Sequence, residues 1–238
     1  PLHTWLPPSY TAAPGFVSAV LSGVVSKTGI YGLLRVLSYL DQPPPWWGWV
    51  LIGVGAVSGL LGILFALAQH DLKRLLAYSS VENMGIIALG IGIGLLGLSY
   101  QASTLATLGF AGALLHVLNH SIFKSLLFLG AGTVRHACGT NRLDEMGGLL
   151  KRMPLMSGAF LTGCVAIASL PPLNGFVGEY LIYLGAFEAE VALPSLAAAP
   201  ALIVIGGLAL IVGLAAACFT KVFGVVFLGA ARSESAAN

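Results

Sequence analysis

Residues 104–135 read TLATLGFAGALLHVLNHSIFKSLLFLGAGTVR. This segment is longer than the roughly 20 residues with which an apolar helix crosses a bilayer. It contains only two fully charged side chains, Lys124 and Arg135, together with His116 and His120. The segment therefore predicts a membrane-spanning helix, and five other apolar segments of comparable length flank it.

The composition of the whole chain agrees with a membrane protein. Of its 238 residues, 57% are hydrophobic and 8% are charged, whereas soluble domains carry about 25% charged residues. The mean hydropathy is +0.92. These values exclude a soluble enzyme, a disordered chain and a disulfide-stapled secreted domain, and a net charge of +2 is too small to indicate nucleic-acid binding. We predict an all-α, polytopic transmembrane bundle of about six helices.

The boundaries of the helices follow from prolines, tryptophans and charged residues. The predicted spans are roughly 14–40, 46–69, 75–98, 104–135, 155–187 and 200–229, within a single transmembrane domain comprising residues 1–238. Residues 169–175 of the fifth span read SLPPLNG, and two adjacent prolines cannot continue an ordinary helix. We therefore expect one broken helix, with water at the break, as in many transport sites.

The distribution of basic residues predicts the orientation. If the helices alternate across the bilayer, seven basic residues lie on one side and only Arg35 on the other. The positive-inside rule places the basic side, and with it both ends of this chain, in the cytoplasm, with the helices in the cell (inner) membrane. Because the sequence begins at Pro1 without an initiator methionine, we expect it to be part of a longer chain.

Several ionisable residues fall within the predicted spans, where a charge costs several kcal/mol and by default indicates function. His116, His120 and Lys124 are spaced four residues apart, which places them on one helix face within about 80° of arc and over about 12 Å. Such a face predicts a proton relay, because histidine titrates near neutral pH and a lysine in an apolar site can exchange protons. The alternatives are a metal-binding histidine pair, for which no further ligand is apparent, and histidines that only hydrogen-bond between helices.

Glu179 follows the break in the fifth span and is a further candidate for proton exchange. The alternative is a carboxylate held permanently ionised by a lysine. Lys27 lies midway along the first span, and Glu82 and Lys221 are two additional candidates. We expect no cofactor and no metal in this chain, since its cysteines lack ligand spacing and it carries no haem motif or plausible nucleotide site.

Several motifs resemble the proton-antiporter-like membrane subunits of respiratory complex I. These are PLHTWLP at residues 1–7, KTGIYGLLR at 27–35, HDLKRLLAYSS at 70–80 and FVGE at 176–179, together with residues 115–129. Within that superfamily, SVENMG at 80–85 and ACFTKVFG at 217–224 look more like the large antiporter subunit of membrane-bound NiFe hydrogenases of the hydrogenase-4 and formate hydrogenlyase type.

The resemblance implies a fold of about fourteen helices with two inverted five-helix repeats, of which this chain forms the C-terminal half. Lys27 then corresponds to the helix-eight lysine of the family, and Glu179 to the ionisable residue of helix twelve. His116, His120 and Lys124 correspond to the helix-eleven relay. The family's glutamate of helix five and lysine of helix seven would precede Pro1.

Two functions are consistent with these residues. The first is a proton-translocating membrane subunit of a redox-driven respiratory or hydrogenase complex, partnered by other membrane subunits and, indirectly, by an electron-transfer arm. The second is a cation/proton antiporter subunit without a redox partner. With no redox centre in this chain, any enzymatic activity would belong to the whole complex.

Overall fold

A computed structural model describes residues 3–233, which form helices joined by short connections and contain no β-strand. In chain order the elements are α1 (Leu6–Ala12), α2 (Gly15–Val20), a π-helical turn (Leu21–Val25), α3 (Ser26–Leu37), α4 (Pro45–Leu67), α5 (Leu72–Ser99), α6 (Ser103–Cys138), a 3₁₀ turn (Leu143–Glu145), α7 (Leu149–Arg152), α8 (Pro154–Ile167), α9 (Asn174–Ala192) and α10 (Ser195–Phe227).

Local sequence signals account for several helix ends. The Asp71 carboxylate accepts a hydrogen bond from the backbone N–H of Arg74 at 2.8 Å and so caps the start of α5. Pro45 occupies the first turn of α4, where its missing N–H costs nothing. Gly139 ends α6 with a φ of 71°, a left-handed conformation that glycine adopts without steric penalty.

Within residues 3–233, five helical segments are long and apolar enough to cross a membrane: Gly15–Leu37, Pro45–Leu67, Leu72–Ser99, Ser103–Cys138 and Leu196–Phe227. They confirm the predicted multi-pass membrane fold and correspond to five of the six predicted spans. The sixth, predicted at 155–187, consists of α8 with 14 residues and α9 with 19 residues, separated by the segment that contains Pro171 and Pro172. This span extends beyond its predicted end at residue 187, because α9 continues to Ala192 and includes Glu188 and Glu190.

Helix α5 lies at the centre of the bundle, and 83% of its most apolar 18-residue stretch is buried. It packs against α4 on one side and α6 on the other through glycines that allow close backbone approach. A Cβ atom on Gly55 of α4 would lie 2.8 Å from the Gly85 carbonyl oxygen of α5. A Cβ on Gly109 of α6 would lie 2.7 Å from the Cα of Gly94. These close contacts position the polar side chains that α5 and α6 carry between them.

The connections between the helices lie at the two ends of the bundle. At one end, Leu72 N donates to Asn141 O at 2.9 Å, Leu143 N to His70 O at 2.8 Å, and Gly148 N to Leu228 O at 3.0 Å. At the other end, the Ser99 hydroxyl donates to the Pro43 carbonyl at 2.7 Å. The end with the three backbone contacts carries the seven basic residues that the alternation of the predicted helices places on one side of the membrane, which are Lys73, Arg74, Arg135, Arg142, Lys151, Arg152 and Arg232.

Candidate functional site

Seven Lys, Glu and His side chains are buried among residues 3–233. One of them, Lys73 in the first turn of α5, donates to the Ala13 carbonyl at 2.6 Å. The other six lie deeper within the helical bundle. Each is at most 7% exposed, and they come from α3, α5, α6 and α9; they are Lys27, Glu82, His116, His120, Lys124 and Glu179. Lys27, Glu82 and Lys124 lie near the middle of their membrane-spanning segments. Five of the six were predicted as the main relay, and Glu82 was predicted as an additional candidate.

The π-helical turn before α3 shapes the surroundings of Lys27. Within this turn the Ser22 carbonyl oxygen accepts hydrogen bonds from the Lys27 ammonium and from the Ser26 hydroxyl, the latter at 2.9 Å. A π-helical turn alters the regular ladder of backbone bonds and is frequent at functional sites. The Ser22 hydroxyl in turn lies 3.0 Å from the Ser80 hydroxyl of α5. Lys27 is thereby connected to α5 through Ser22.

Lys124 of α6 contacts the same part of α5. Its ammonium donates a hydrogen bond to the Ser79 hydroxyl. It also lies 6.0 Å and 5.8 Å from the ring centroids of Phe128 and Phe219, distances at which an aromatic face attracts a cation. Ser79 and Ser80 are neighbours in α5, and both hydroxyls donate to the Leu76 carbonyl, at 3.2 Å and 3.1 Å. The two serines therefore stand between the two buried lysines.

Asn83 extends the polar contacts from Ser79 to the histidines. Its Nδ2 donates to the Ser79 carbonyl at 2.8 Å and lies 3.4 Å from Oε2 of Glu82. Its Oδ1 lies 3.0 Å from Nε2 of His116. The rings of His116 and His120 are nearly parallel, with an interplanar angle of 4° and centroids 6.4 Å apart. Among residues 3–233, neither ring nitrogen of His120 nor Nδ1 of His116 has a hydrogen-bond partner.

The broken helix brings Glu179 against the histidine face of α6. A Cβ on Gly178 would lie 2.9 Å from the His116 Cβ, so α9 and α6 touch directly beside Glu179. The Glu179 carboxyl faces the Ser169 hydroxyl, which lies in the break itself. The Asn119 amide donates to the Asn174 carbonyl at 2.7 Å, which links α6 to the start of α9. The break is thus held next to the predicted relay.

Lys221 lies apart from this buried set. Its ammonium donates to the Leu67 carbonyl at 2.8 Å, at the C-terminal end of α4. A lysine in this position satisfies a carbonyl that lacks a partner within its own helix and complements the helix dipole. The geometry therefore favours a structural contact for Lys221, in contrast to its prediction as a candidate relay residue.

Sequence reasoning missed the uncharged members of the site, which are Ser22, Ser79, Ser80, Asn83, Asn119 and Asn174. The spacing in the sequence could have indicated two of these residues. Ser79 and Asn83 are four residues apart and so share a face of α5. Metal ligands do not come together among residues 3–233, where no group of three His, Cys, Asp or Glu side chains could hold an ion. That the chain binds neither cofactor nor metal remains a prediction.

Together these contacts form a line of buried polar groups across the bundle, which we call the polar axis. It runs from Lys27 through Ser22 and the two serines of α5 to Lys124, and through Asn83 to His116. All its charged members can gain or lose a proton, and the hydroxyl and amide groups between them can orient water or protons. A bundle of apolar helices with such an axis is typical of ion-translocating membrane proteins.

The sequence of residues 1–206 matches the family described as NADH:quinone oxidoreductase/Mrp antiporter, TM. The chain belongs to this family. It is 47% identical over 244 aligned positions to hydrogenase-4 component B of Escherichia coli, an alignment that covers 99% of this chain and 36% of that protein. It is 44% identical to formate hydrogenlyase subunit 3 of the same organism, with coverage of 100% and 39%. Both relatives agree with the branch of the superfamily that the sequence motifs resemble.

The fold is also shared with a solved complex. A chain of the Mrp complex from Dietzia sp. DQ12-45-1b superimposes with a TM-score of 0.80 at 27% identity, covering 97% of this chain and 39% of that one. This likeness confirms the predicted antiporter-like helical fold. The present chain spans only 36–39% of the length of these relatives.

Proposed function

We propose that this chain is part of a proton-translocating membrane subunit of a redox-driven respiratory or hydrogenase complex. The observation that carries the proposal is the polar axis, in which two lysines on different helices reach neighbouring serines of α5, Lys124 directly at Ser79 and Lys27 through Ser22 at Ser80. Placing a single charge at the bilayer centre costs about 2.5–3.5 kcal/mol even on the mildest scale. Six buried ionisable groups are difficult to reconcile with a purely structural bundle.

Protons would move along the axis by changes in the protonation of its charged members. Lys27 and Lys124 would exchange protons through the serines of α5 and water, and His116 and His120 would receive them from Lys124. Glu179 would form the end of the path towards the side opposite the basic loops, because α9 leads from the break to that end of the bundle. The hydrated break would supply the last water molecules of the path.

The assignment to a redox complex rests on the relatives. Two of them carry the names of hydrogenase and formate hydrogenlyase components. The partners would accordingly be other membrane subunits of one assembly and, indirectly, its electron-transfer arm. The basic end of the bundle would face the cytoplasm and the helices would lie in the cell membrane, as the positive-inside rule favours. Residues 1–238 would form one transmembrane domain, the C-terminal half of an inverted-repeat antiporter fold.

A second candidate is a cation/proton antiporter subunit without a redox partner. It is supported by the fold shared with a chain of the Mrp complex. It is also supported by a relative from Alkalihalophilus pseudofirmus that carries the name of a Na(+)/H(+) antiporter component and is 34% identical over 191 positions. The same polar axis would then exchange protons against a cation. The two candidates differ in whether a cation crosses the membrane in the opposite direction.

Replacing Lys124 by alanine in the full-length subunit tests the proposal. The complete complex is reconstituted into vesicles and driven by its electron donor, and proton movement is followed with a pH-sensitive dye while sodium movement is followed with ²²Na⁺. We expect Lys124→Ala to abolish proton movement without preventing assembly. The matched control is Lys151→Ala, which removes an exposed lysine of a basic connection and should pump normally. Wild-type pumping by the Lys124 variant would contradict the proposal, and Na⁺ exchange that persists without any electron donor would favour the antiporter.

A further inference from the structure

Asn83 occupies a special place on the polar axis because it is the only described residue that contacts a ring nitrogen of His116 by a hydrogen bond. Asn83 is 1% exposed and His116 is fully buried. Both ends of the Asn83 amide are used: Nδ2 faces the Ser79 carbonyl at 2.8 Å, and Oδ1 faces Nε2 of His116 at 3.0 Å. The orientation of this amide therefore decides what His116 can do.

Chemistry fixes the orientation of the amide. A backbone carbonyl such as that of Ser79 can only accept a hydrogen bond, so the NH₂ group of Asn83 must face it. A flipped amide would place two oxygens against each other there. The Glu82 carboxyl lies on the same side, 3.4 Å from Nδ2, and reinforces this orientation when it is ionised. The amide oxygen is consequently the group that meets His116.

An amide oxygen is also purely an acceptor, so Nε2 of His116 must carry a hydrogen. The tautomer of a buried histidine is set in this way by the partner of one ring nitrogen. Nδ1 then carries the free lone pair, and it has no hydrogen-bond partner among residues 3–233. We propose that Asn83 is a positioning residue that holds neutral His116 as the Nε2–H tautomer, so that Nδ1 is the atom at which His116 gains and loses protons.

This inference deepens the proposed function, on which it rests. Protonation forms an N–H bond at Nδ1 and leaves the Nε2–H···Oδ1 bond to Asn83 intact. Deprotonation breaks the bond at the same nitrogen. A proton that entered at one ring nitrogen and left by the other would have to break the bond to Asn83. His116 therefore stores a proton and returns it through Nδ1, and it does not pass protons across its ring towards α5.

Nitrogen NMR of the complete complex in lipid, with ¹⁵N-labelled histidine, measures the tautomer directly. Spectra are recorded at mildly alkaline pH, where an ordinary histidine is neutral, and the difference between wild type and His116→Gln isolates the signals of His116. We expect a protonated Nε2 and an unprotonated Nδ1. Any other protonation state of His116 in the wild type would overturn the inference.

The substitution Asn83→Leu keeps a side chain of similar size and removes both polar ends. We expect the ratio of the Nε2–H to the Nδ1–H form to fall by at least about fivefold, as the loss of one buried hydrogen bond implies. The control is Ser157→Ala, which removes a buried hydroxyl of α8 that bonds to the Met153 carbonyl and should leave the His116 signals as in the wild type. Equal spectral changes in both variants, or none in Asn83→Leu, would contradict a positioning role.

The wild-type spectrum keeps the inference testable even if Asn83→Leu does not assemble. Failure of the inference is also distinguishable from failure of the proposed function. An Nδ1–H tautomer in a complex that still loses proton movement on Lys124→Ala would refute only the role of Asn83.

Discussion

Replacing Gly178 by alanine should damage the site although glycine carries no functional group. Gly178 lies where α9 crosses α6, and an added Cβ would lie 2.9 Å from the Cβ and 3.0 Å from the Cα of His116. Ordinary contacts between such atoms begin at about 3.4 Å. Both contacting atoms are fixed to the α6 backbone, so no rotamer change can relieve the overlap. The two helices would have to separate by about half an ångström.

The expected effect on stability follows from the cost of overpacking a dense interior, which is typically about 1–3 kcal/mol. For a domain of about 150–250 residues, each kcal/mol corresponds to a change of about 2–4 °C in melting temperature. The separation would also shift His116 and so disturb its hydrogen bond to Asn83. We therefore expect reduced proton movement per electron together with a lower melting temperature.

A control within the same chain separates this contact from the general effect of a methyl group. Gly213 of α10 is exposed, and a Cβ there would meet nothing within 4 Å. Thermal unfolding and dye-detected proton uptake are measured for the full-length Gly178→Ala and Gly213→Ala variants in the complete complex. The Gly213 variant should match the wild type in both assays. A Gly178 variant that is equally stable and pumps equally well would refute the close packing of α6 and α9.

Substitutions at three further positions, Glu179, Ser80 and Lys221, test the roles argued for these residues. Glu179→Gln keeps the shape of the side chain but cannot carry a proton, so it should stop proton uptake without unfolding the bundle. Glu179→Asp keeps a titratable carboxyl group and should retain part of the activity. The control Glu190→Gln, on the exposed end of the same helix, should take up protons normally. Ser80→Ala removes the hydroxyl that bridges towards Lys27, and proton uptake should slow severalfold; an unchanged rate would exclude this serine from the path. Lys221→Met leaves the Leu67 carbonyl without its partner and should lower the free energy of unfolding by about 1–3 kcal/mol. Proton uptake per electron should stay at the wild-type value. Loss of uptake in a stable variant would instead show that Lys221 belongs to the relay.

Much of the fold could be predicted because the bilayer constrains it so strongly. Apolar segments of sufficient length have to be helices, and the two adjacent prolines had to interrupt one of them, as the separation of α8 from α9 confirms. The placement of His116, His120 and Lys124 on one face of α6 followed from helical periodicity alone. The structure places all three in the buried interior of the bundle.

The remaining parts depend on tertiary contacts that no local pattern encodes. Serine and asparagine side chains can hydrogen-bond to many different partners between membrane helices. The roles of Ser79 and Asn83 therefore became visible only from their contacts with Lys124 and His116. The π-helical turn before Lys27 carries no distinctive residue. The Leu67 carbonyl that Lys221 contacts was likewise not predictable from the sequence, and a relay role for Lys221 stays a prediction.

Infrared difference spectroscopy of the complete complex during turnover tests most directly whether the polar axis carries protons. Spectra of the complex at rest and during turnover are subtracted, and the carboxyl and imidazole bands in the difference report groups that change protonation. We expect a carboxyl band that disappears in Glu179→Gln but persists in Glu190→Gln, and imidazole bands that disappear in His116→Gln. Identical difference spectra for the wild type and these buried-site variants, in complexes that still move protons, would show that the protons cross elsewhere.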